Sequence, residues 1–329
     1  MPEAPSVETL AARLVEGDRR ALARAITLVE STRPDHRTRA AALLDAVLPH
    51  TGTSIRLGVS GPPGAGKSTF LQAYGLHQIE DRGQRVAVLA VDPSSTQSGG
   101  SILGDKTRMP RLAARPEAFI RPSPAGDSLG GLARRTREVL LLCEAAGFDQ
   151  VMVETVGVGQ SETAVAGIID TMVLLLPPGA GDDLQGIKRG VMELADVVVV
   201  TKADGDLAPA ARMAAADARQ GLALLRRRHP GWDPAVVLTS ALEGRGIEEV
   251  ADAVAAHHDH MTTSGQLAVL RRQQDLQWLH DQVVEGLLAA FRADPASAAA
   301  LNQAAQSVRA GTRSPTRAAQ DVLRTAQRS

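Results

Sequence analysis

The chain has 329 residues, of which 44% are hydrophobic, and its formal net charge is -1. This length is enough for one large domain with appendages, and the near-neutral charge does not indicate a nucleic acid or an acidic membrane as partner. No apolar run approaches the roughly 20 residues that span a bilayer. The single cysteine, Cys143, excludes an intramolecular disulfide, so we expect a cytoplasmic protein in which Cys143 is a buried helix residue.

The first 50 residues are predicted to form an N-terminal helical extension. Their apolar positions recur at helical spacing, on one side of the pattern: Leu10, Leu14, Ala21, Ala25 and Leu28. Pro34 and Asp35 interrupt this pattern, and a second, short helix is predicted over 38–47.

Between residues 51 and 261, β-type apolar runs alternate with helical patterns. Near-continuous Val, Ile and Leu segments are typical of parallel strands buried on both faces. The predicted strands are 55–59, 85–91, 150–154, 171–176, 196–201 and 235–239. With helices between them, these strands form right-handed βαβ units, so we predict an α/β fold with a doubly wound, mostly parallel sheet.

The first strand leads into the run GPPGAGKST at 61–69, which fits the phosphate-loop pattern G-x4-G-K-[ST]. Free N–H groups at a helix N-terminus bind phosphate, Lys67 can reach the β- and γ-phosphates, and Ser68 can ligate Mg²⁺. The run therefore predicts a nucleoside triphosphate site. Its candidate nucleotide-binding residues are Gly61, Pro62, Pro63, Gly64, Ala65, Gly66, Lys67, Ser68 and Thr69.

The second and third predicted strands end in acidic residues, Asp92 and Glu154. Because the carboxyl ends of parallel strands meet at one edge of a sheet, we expect both acids to converge with Ser68 on one Mg²⁺ ion. Asp92 by itself could instead cap a helix. Glu154 opens an E-x-x-G run, and the N–H of Gly157 can contact the γ-phosphate.

Hydrolysis is predicted to be slow without a partner. Ras-like proteins carry a glutamine directly after the x-x-G, where it orients the attacking water, but this chain has Val158 there. Another group must act, either Asp105 or one from a partner, and Asp105 is a further candidate metal ligand. The predicted catalytic residues are Lys67, Asp105, Glu154 and Gly157.

Two later elements indicate guanine rather than adenine. The strand at 196–201 ends in the sequence T-K-A-D, similar to the [N/T]-K-x-D element whose aspartate accepts hydrogen bonds from guanine N1 and its exocyclic amine. A strand that ends in a polar turn is the simpler alternative. The next strand is followed by S-A-L, which resembles a loop whose N–H contacts guanine O6. The candidate base-binding residues are Thr201, Lys202, Asp204, Ser240, Ala241 and Leu242.

Thr201 stands where asparagine is commoner, and we expect this change to remove an amide that braces the loop and to weaken base affinity. His257, His258 and His260 lie together with Asp259, and we interpret them as a solvated helix end rather than a zinc or nickel site. The basic run at 226–229 is interpreted as a helix C-terminus.

Residues 262–329 are predicted to form a C-terminal helical arm. Apolar residues recur there at three and four positions: Leu276, Leu279, Val283 and Leu287. A helix cannot bury such a stripe alone, so the arm either packs on the domain or, as we expect, pairs two copies into a homodimer.

Longer segments resemble the MeaB/ArgK family of P-loop GTPases, which includes the human methylmalonic aciduria type A protein. The resemblance covers the sheet domain and is most specific in five runs: VLAVDPSSTQSGGSILGDKTRM (88–109), FIRPSP (119–124), LLCEAAGFD (141–149), VETVGVGQSE (153–162) and GAGDDLQGIKRG (179–190). It implies a GTP-hydrolysing chaperone that gates adenosylcobalamin loading and protects or reactivates methylmalonyl-CoA mutase or a related acyl-CoA mutase.

The resemblance also implies partners and switch segments. The expected partners are the mutase, a cobalamin adenosyltransferase and a second copy of the chain. Residues 92–108, 154–162 and 179–188 would be three switches, and Asp182, Gln185 and Lys188 in the third would relay the nucleotide state to the mutase. A solvated acidic turn is the simpler interpretation of Asp182 and Asp183.

Two other functions use the same phosphate loop. A kinase associated with amino-acid transport would bind ATP, which T-K-A-D and S-A-L argue against. A nickel-insertion GTPase is disfavoured by the single cysteine and the absence of a long histidine-rich tract.

Overall fold

The computed structural model describes residues 5–91, 108–123, 129–155, 161–179 and 189–326. Its centre is a seven-stranded sheet in which every strand pair is parallel. The strands are β1 Ile55–Ser60, β2 Val86–Val91, β3 Ala118–Ser123, β4 Gln150–Thr155, β5 Thr171–Leu176, β6 Val197–Val200 and β7 Ala235–Leu238. Their order across the sheet is β3-β2-β4-β1-β5-β6-β7, which confirms the predicted α/β fold.

α-Helices precede, connect and follow these strands among the described residues. They are α1 Val7–Val15, α2 Arg19–Val29, α3 Pro34–Val47, α4 Lys67–Glu80, α5 Pro110–Ala113, α6 Leu129–Ala145, α7 Ser161–Ala166, α8 Arg189–Met192, α9 Ala208–Ala223, α10 Ile247–Thr263, α11 Gln266–Ala293, α12 Pro295–Arg309 and α13 Pro315–Ala326. Among these helices, none combines the length and hydropathy that crossing a membrane requires.

The sheet is buried on both faces, as its Val-rich strands predict. In β6, Val197 and Val199 join a core with α4 and α10, whereas Val198 and Val200 join a core with α9. Successive side chains of a strand point to opposite faces, so a four-valine strand can serve two cores. Cys143 is buried in α6, as expected, and burial raises the pKa of its thiol.

The N-terminal helices belong to the core that covers one face of the sheet. Leu14, Leu22, Ile26 and Leu43 are buried together with residues of α6 and β4. The predicted break before a second helix is present between α2 and α3, but this helix begins at Pro34 and not at residue 38. Proline is tolerated at that position, where its missing N–H would have no helical partner.

One strand, β3, was not predicted from the sequence. It lies at an edge of the sheet and pairs only with β2 among the described strands. Its sequence, AFIRPS, contains an arginine and a proline, which an edge strand accepts because one side of its backbone needs no ladder partner.

The chain divides into two compact units, residues 1–271 and 272–329. The first contains the sheet and its covering helices. The second contains most of α11 together with α12 and α13, and the latter two helices pack on each other.

Candidate nucleotide site

The phosphate loop connects β1 to α4, as its sequence predicts. Gly61 lies so close to β5 that a Cβ atom there would be 2.6 Å from the carbonyl oxygen of Leu175. Gly66 has φ +87° and precedes the first residue of α4, a left-handed conformation that glycine adopts without strain. Both glycines are therefore required by the backbone, and the loop leads directly into a helix N-terminus that can bind phosphate.

The Lys67 ammonium lies over this loop. Its Nζ donates to the carbonyl oxygens of Gly61 at 2.7 Å and Pro62 at 3.2 Å. Burial lowers the pKa of Lys67, and the nearby carboxylates of Glu154 and Glu162 partly oppose this effect. A partly desolvated cation at a helix N-terminus is suited to bind a polyphosphate.

Ser68 and Glu154 meet beside the loop. The Ser68 hydroxyl donates to Oε1 of Glu154 at 3.3 Å. Glu154 is the penultimate residue of β4, at the carboxyl edge of the sheet, and is buried. Next to it, Thr155 donates to the Ser60 hydroxyl at 2.9 Å and links β4 to β1. A hydroxyl and a carboxylate are the hard oxygen ligands that Mg²⁺ prefers, so these residues fit such an ion.

Thr201 braces the phosphate loop in a way that the sequence analysis did not anticipate. Its hydroxyl donates to the carbonyl oxygen of Ala65 at 2.8 Å and is 3.3 Å from that of Leu176. We expected that the absence of asparagine would remove a bracing contact. That expectation is wrong for the contact itself, because the shorter hydroxyl side chain reaches the loop from the end of β6.

The two predicted base-binding elements lie side by side. The Ser240 hydroxyl donates to the carboxylate of Asp204, and the N–H of Ala203 donates to the carbonyl of Thr239 at 2.9 Å. Lys202 has φ +55°, and such a conformation in a residue other than glycine is a mark of functional loops. Ala241 and Leu242 follow Ser240 in the same loop, and Leu242 is 84% exposed. This arrangement can present a carboxylate and an apolar surface to a base.

Several predicted site residues lie outside the described residues. They are Asp92, Asp105, Gly157, Asp182, Gln185 and Lys188. Their assignments as metal ligands, catalytic groups or partner switches therefore stay predictions.

Glu162 is a site residue that the sequence analysis did not select. It lies in the first turn of α7, is fully buried, and acts electrostatically on Lys67. In the sequence alone, a glutamate in the first turn of a helix indicates no more than the favourable interaction of a negative charge with the helix N-terminus. Only the fold shows that this helix starts near the phosphate loop.

The interpretation of His257 as part of a solvated helix end is wrong. His257 is fully buried in α10 beside Asp196 and His229, and His229 belongs to the segment before β7 rather than to a helix C-terminus. Burial lowers the pKa of His229 to about 4 and that of His257 to about 3. The three residues are far apart in sequence, so spacing gave no signal of the cluster.

Comparison with known proteins supports the assignment of a nucleotide site. The family model described as methylmalonyl Co-A mutase-associated GTPase MeaB matches residues 22–296. A probable GTPase of Mycobacterium tuberculosis is 52% identical over 97% of this chain and 94% of its own length. The GTPase ArgK of Escherichia coli is 52% identical over 84% of this chain and 83% of its own.

Two further relatives extend the comparison. The mitochondrial methylmalonic aciduria type A homolog of Mus musculus is 47% identical over 97% of this chain and 79% of its own length. The crystal structure of a LAO/AO transport system kinase has a TM-score of 0.78 and 40% identity, with 99% of each chain covered. The family, the fold and the phosphate loop together make this a site for GTP and GDP. The chain belongs to the MeaB family of P-loop GTPases.

Proposed function

We propose that Asp204 selects guanine and that the Ser240–Leu242 loop completes the base site. The observation that carries this proposal is the hydrogen bond by which Ser240 holds the Asp204 carboxylate. A carboxylate fixed in this way can accept from both N1–H and the exocyclic amine of guanine, a pair of donors that adenine lacks. The adjacent N–H groups of Ala241 and Leu242 are the donors proposed for guanine O6.

Asp204→Asn tests the base assignment. An asparagine oxygen can still accept from Ser240, but its amide donates where the carboxylate accepted, which suits the 2-oxo group of xanthine. We expect the ratio of GDP affinity to XDP affinity to fall by about 100-fold or more, because a site built to hydrogen-bond one group discriminates strongly against a ligand that leaves its polar atoms unpaired. The control is Asp206→Asn, in the exposed turn that follows. Equal ratios in the two variants would remove Asp204 from base recognition.

We propose that Ser68 and Glu154 hold a Mg²⁺ ion, together with Asp92 and Asp105. The bound ion would neutralise charge on the β- and γ-phosphates. Lys67 binds the same phosphates, and the N–H of Gly157 is proposed to contact the γ-phosphate. The side chain of Val158 cannot hydrogen-bond a water, so we propose that intrinsic hydrolysis is slow and that a partner accelerates it.

We propose that the partner is an adenosylcobalamin-dependent methylmalonyl-CoA mutase or a related acyl-CoA mutase. Support comes from the matched family description, which names this mutase, and from the name of the mouse relative. In this proposal the nucleotide state gates adenosylcobalamin loading from a cobalamin adenosyltransferase and protects or reactivates the mutase. Asp182, Gln185 and Lys188 are proposed to carry the signal.

Single-turnover GTP hydrolysis with and without purified methylmalonyl-CoA mutase tests this proposal. We expect the mutase to accelerate hydrolysis, and its affinity for the GTP and GDP forms to differ by ~5- to 150-fold, the usual range of coupling between two sites. Lys67→Ala, which removes the phosphate cation, should abolish the difference. If the mutase neither binds nor changes the rate, the client assignment is wrong while the GTPase assignment stands.

A further inference from the structure

A second group of ligand-type side chains lies at the opposite edge of the sheet from the phosphate loop. Asp196 directly precedes β6, His229 lies between α9 and β7, and His257 lies on α10. All three side chains are more than nine-tenths buried. The phosphate loop follows the carboxyl end of β1, whereas this cluster lies at the amino ends of the parallel strands.

The three side chains point their unused atoms at one another. Oδ1 of Asp196 is 3.4 Å from Nε2 of His229 and 3.7 Å from Nε2 of His257. Among the described residues, none of these three buried atoms has a hydrogen-bond partner. Buried polar atoms are usually paired, and three unpaired atoms that converge on one point indicate a missing partner.

Neighbouring groups hold two of the three ligands, Asp196 and His257, in place. The other oxygen of Asp196, Oδ2, accepts from the N–H of Met172 and from Arg228, both at 2.8 Å. Nδ1 of His257 is 2.8 Å from the Thr171 hydroxyl. When Nδ1 donates to that hydroxyl, Nε2 keeps its lone pair and faces Asp196, which is the arrangement of a metal-bound histidine with its outer partner.

We propose that Asp196, His229 and His257 bind one Zn²⁺ ion. Two ligand atoms on a tetrahedral zinc are ~3.3 Å apart, since each lies about 2.0–2.1 Å from the metal, and the Asp196–His229 separation of 3.4 Å is close to that value. Two imidazoles and one carboxylate form a ligand set that zinc accepts. The ion would replace the missing partner of all three atoms.

The ion would link three elements that are distant in sequence. It would tie the segment before β7 and helix α10 to the amino end of β6, on the side of the sheet away from the nucleotide. Trp232, in the segment before β7, already contacts the other two elements. Its Nε1 donates to the Asp196 carbonyl at 3.0 Å, and its ring packs edge-on against His257 with the ring centroids 4.9 Å apart. The proposed role is therefore to hold the sheet edge together and not to take part in hydrolysis.

Metal analysis of the full chain, without an affinity tag, tests the proposal. Protein stripped with a chelator is dialysed against buffered Zn²⁺, and bound zinc is measured after gel filtration. We expect one zinc per chain and, with Co²⁺ instead, the intense visible absorption of a four-coordinate site. We also expect Zn²⁺ to raise the Tm of the wild-type chain, because a ligand that binds only the folded state stabilises it.

Matched variants locate the ion. His257→Asn and His229→Asn should each weaken zinc binding by ~100-fold or more, and Thr171→Val, which removes an outer partner, by about 10- to 100-fold. His50→Asn, in an exposed helix turn, should bind zinc as the wild type does. GDP affinity should be unchanged in all of them, since the cluster lies at the opposite edge of the sheet.

Two results would overturn the proposal. The first is a wild-type chain that keeps no stoichiometric zinc and shows no rise in Tm, a result that does not depend on any variant folding. The second is zinc that binds equally to His257→Asn and His50→Asn, which would place it elsewhere. The cluster would then be a metal-free buried contact of an aspartate with two imidazoles.

Discussion

At the scale of single residues, Thr201 shows how one hydroxyl can connect two parts of the site. It lies at the end of the strand that leads to the base-binding residues, and it donates to Ala65 inside the phosphate loop. A change at Thr201 should therefore affect phosphate binding as well as base binding.

Thr201→Val is the isosteric test of this connection. It leaves the buried Ala65 carbonyl without its donor, at a cost of about 1–3 kcal/mol. We expect GDP to dissociate about tenfold faster or more, measured by displacement of a fluorescent GDP analogue. Thr201→Ser keeps the hydroxyl and should release GDP at the wild-type rate. If both variants release GDP at the wild-type rate, the hydroxyl does not brace the loop.

The sequence predicted those site residues whose roles depend on local motifs. The phosphate loop was recognised because its glycines, Lys67 and Ser68 are neighbours in the chain. The brace from Thr201 to Ala65, the position of Glu162 near Lys67 and the approach of His257 to Asp196 all involve residues that are far apart in sequence. No local pattern encodes such contacts, and only the packed fold shows them.

At the scale of elements, hydrophobic patterns identified six of the seven strands and missed β3, one of the two edge strands. β6 is a run of four valines, which pattern and propensity both assign to a strand. β3 has Arg121 and Pro122 in its second half, and it exists because β2 offers it a hydrogen-bonding edge. Strand formation there depends on a tertiary partner more than on the segment's own sequence.

The N-terminal helices also depend on a tertiary partner, because their apolar residues are buried only against the face of the sheet that they cover. Leu43 of α3 is fully buried among residues of α6, whereas Leu48, just beyond the end of the same helix, is 57% exposed. The two leucines therefore provide a matched pair for measuring what this packing contributes.

Leu43→Ala should lower the free energy of unfolding by about 3 kcal/mol, because it leaves a cavity in a close-packed core. Leu48→Ala should change it by less than about 0.5 kcal/mol. Chemical denaturation followed by circular dichroism measures both. If the two variants have equal denaturation midpoints, α1–α3 can unfold without destabilising the sheet. The N-terminal segment would then be an independent extension.

At the scale of the whole molecule, the second compact unit carries an apolar surface. Four residues at helical spacing on α11 are more than half exposed: Leu276, Leu279, Val283 and Leu287. Contiguous exposed apolar surfaces of this kind usually mark an interaction site. We propose that a second copy of the chain covers the stripe, because a helix that presents the same stripe in each copy can pair with itself about a twofold axis.

Leu279→Glu in the full chain tests this homodimer. A charge at the centre of the stripe loses its hydration on pairing and faces its own copy across a twofold axis, so we expect the variant to be monomeric by light scattering while it binds GDP normally. Ala289→Glu adds the same charge to an exposed position of this helix that lies at neither three- nor four-residue spacing from the stripe, and this variant should remain dimeric. A dimer that survives Leu279→Glu, or a wild-type chain that is already monomeric, would leave the stripe free for another partner. Because the nucleotide site lies within the first unit, unchanged GDP binding would separate loss of the dimer from loss of the fold.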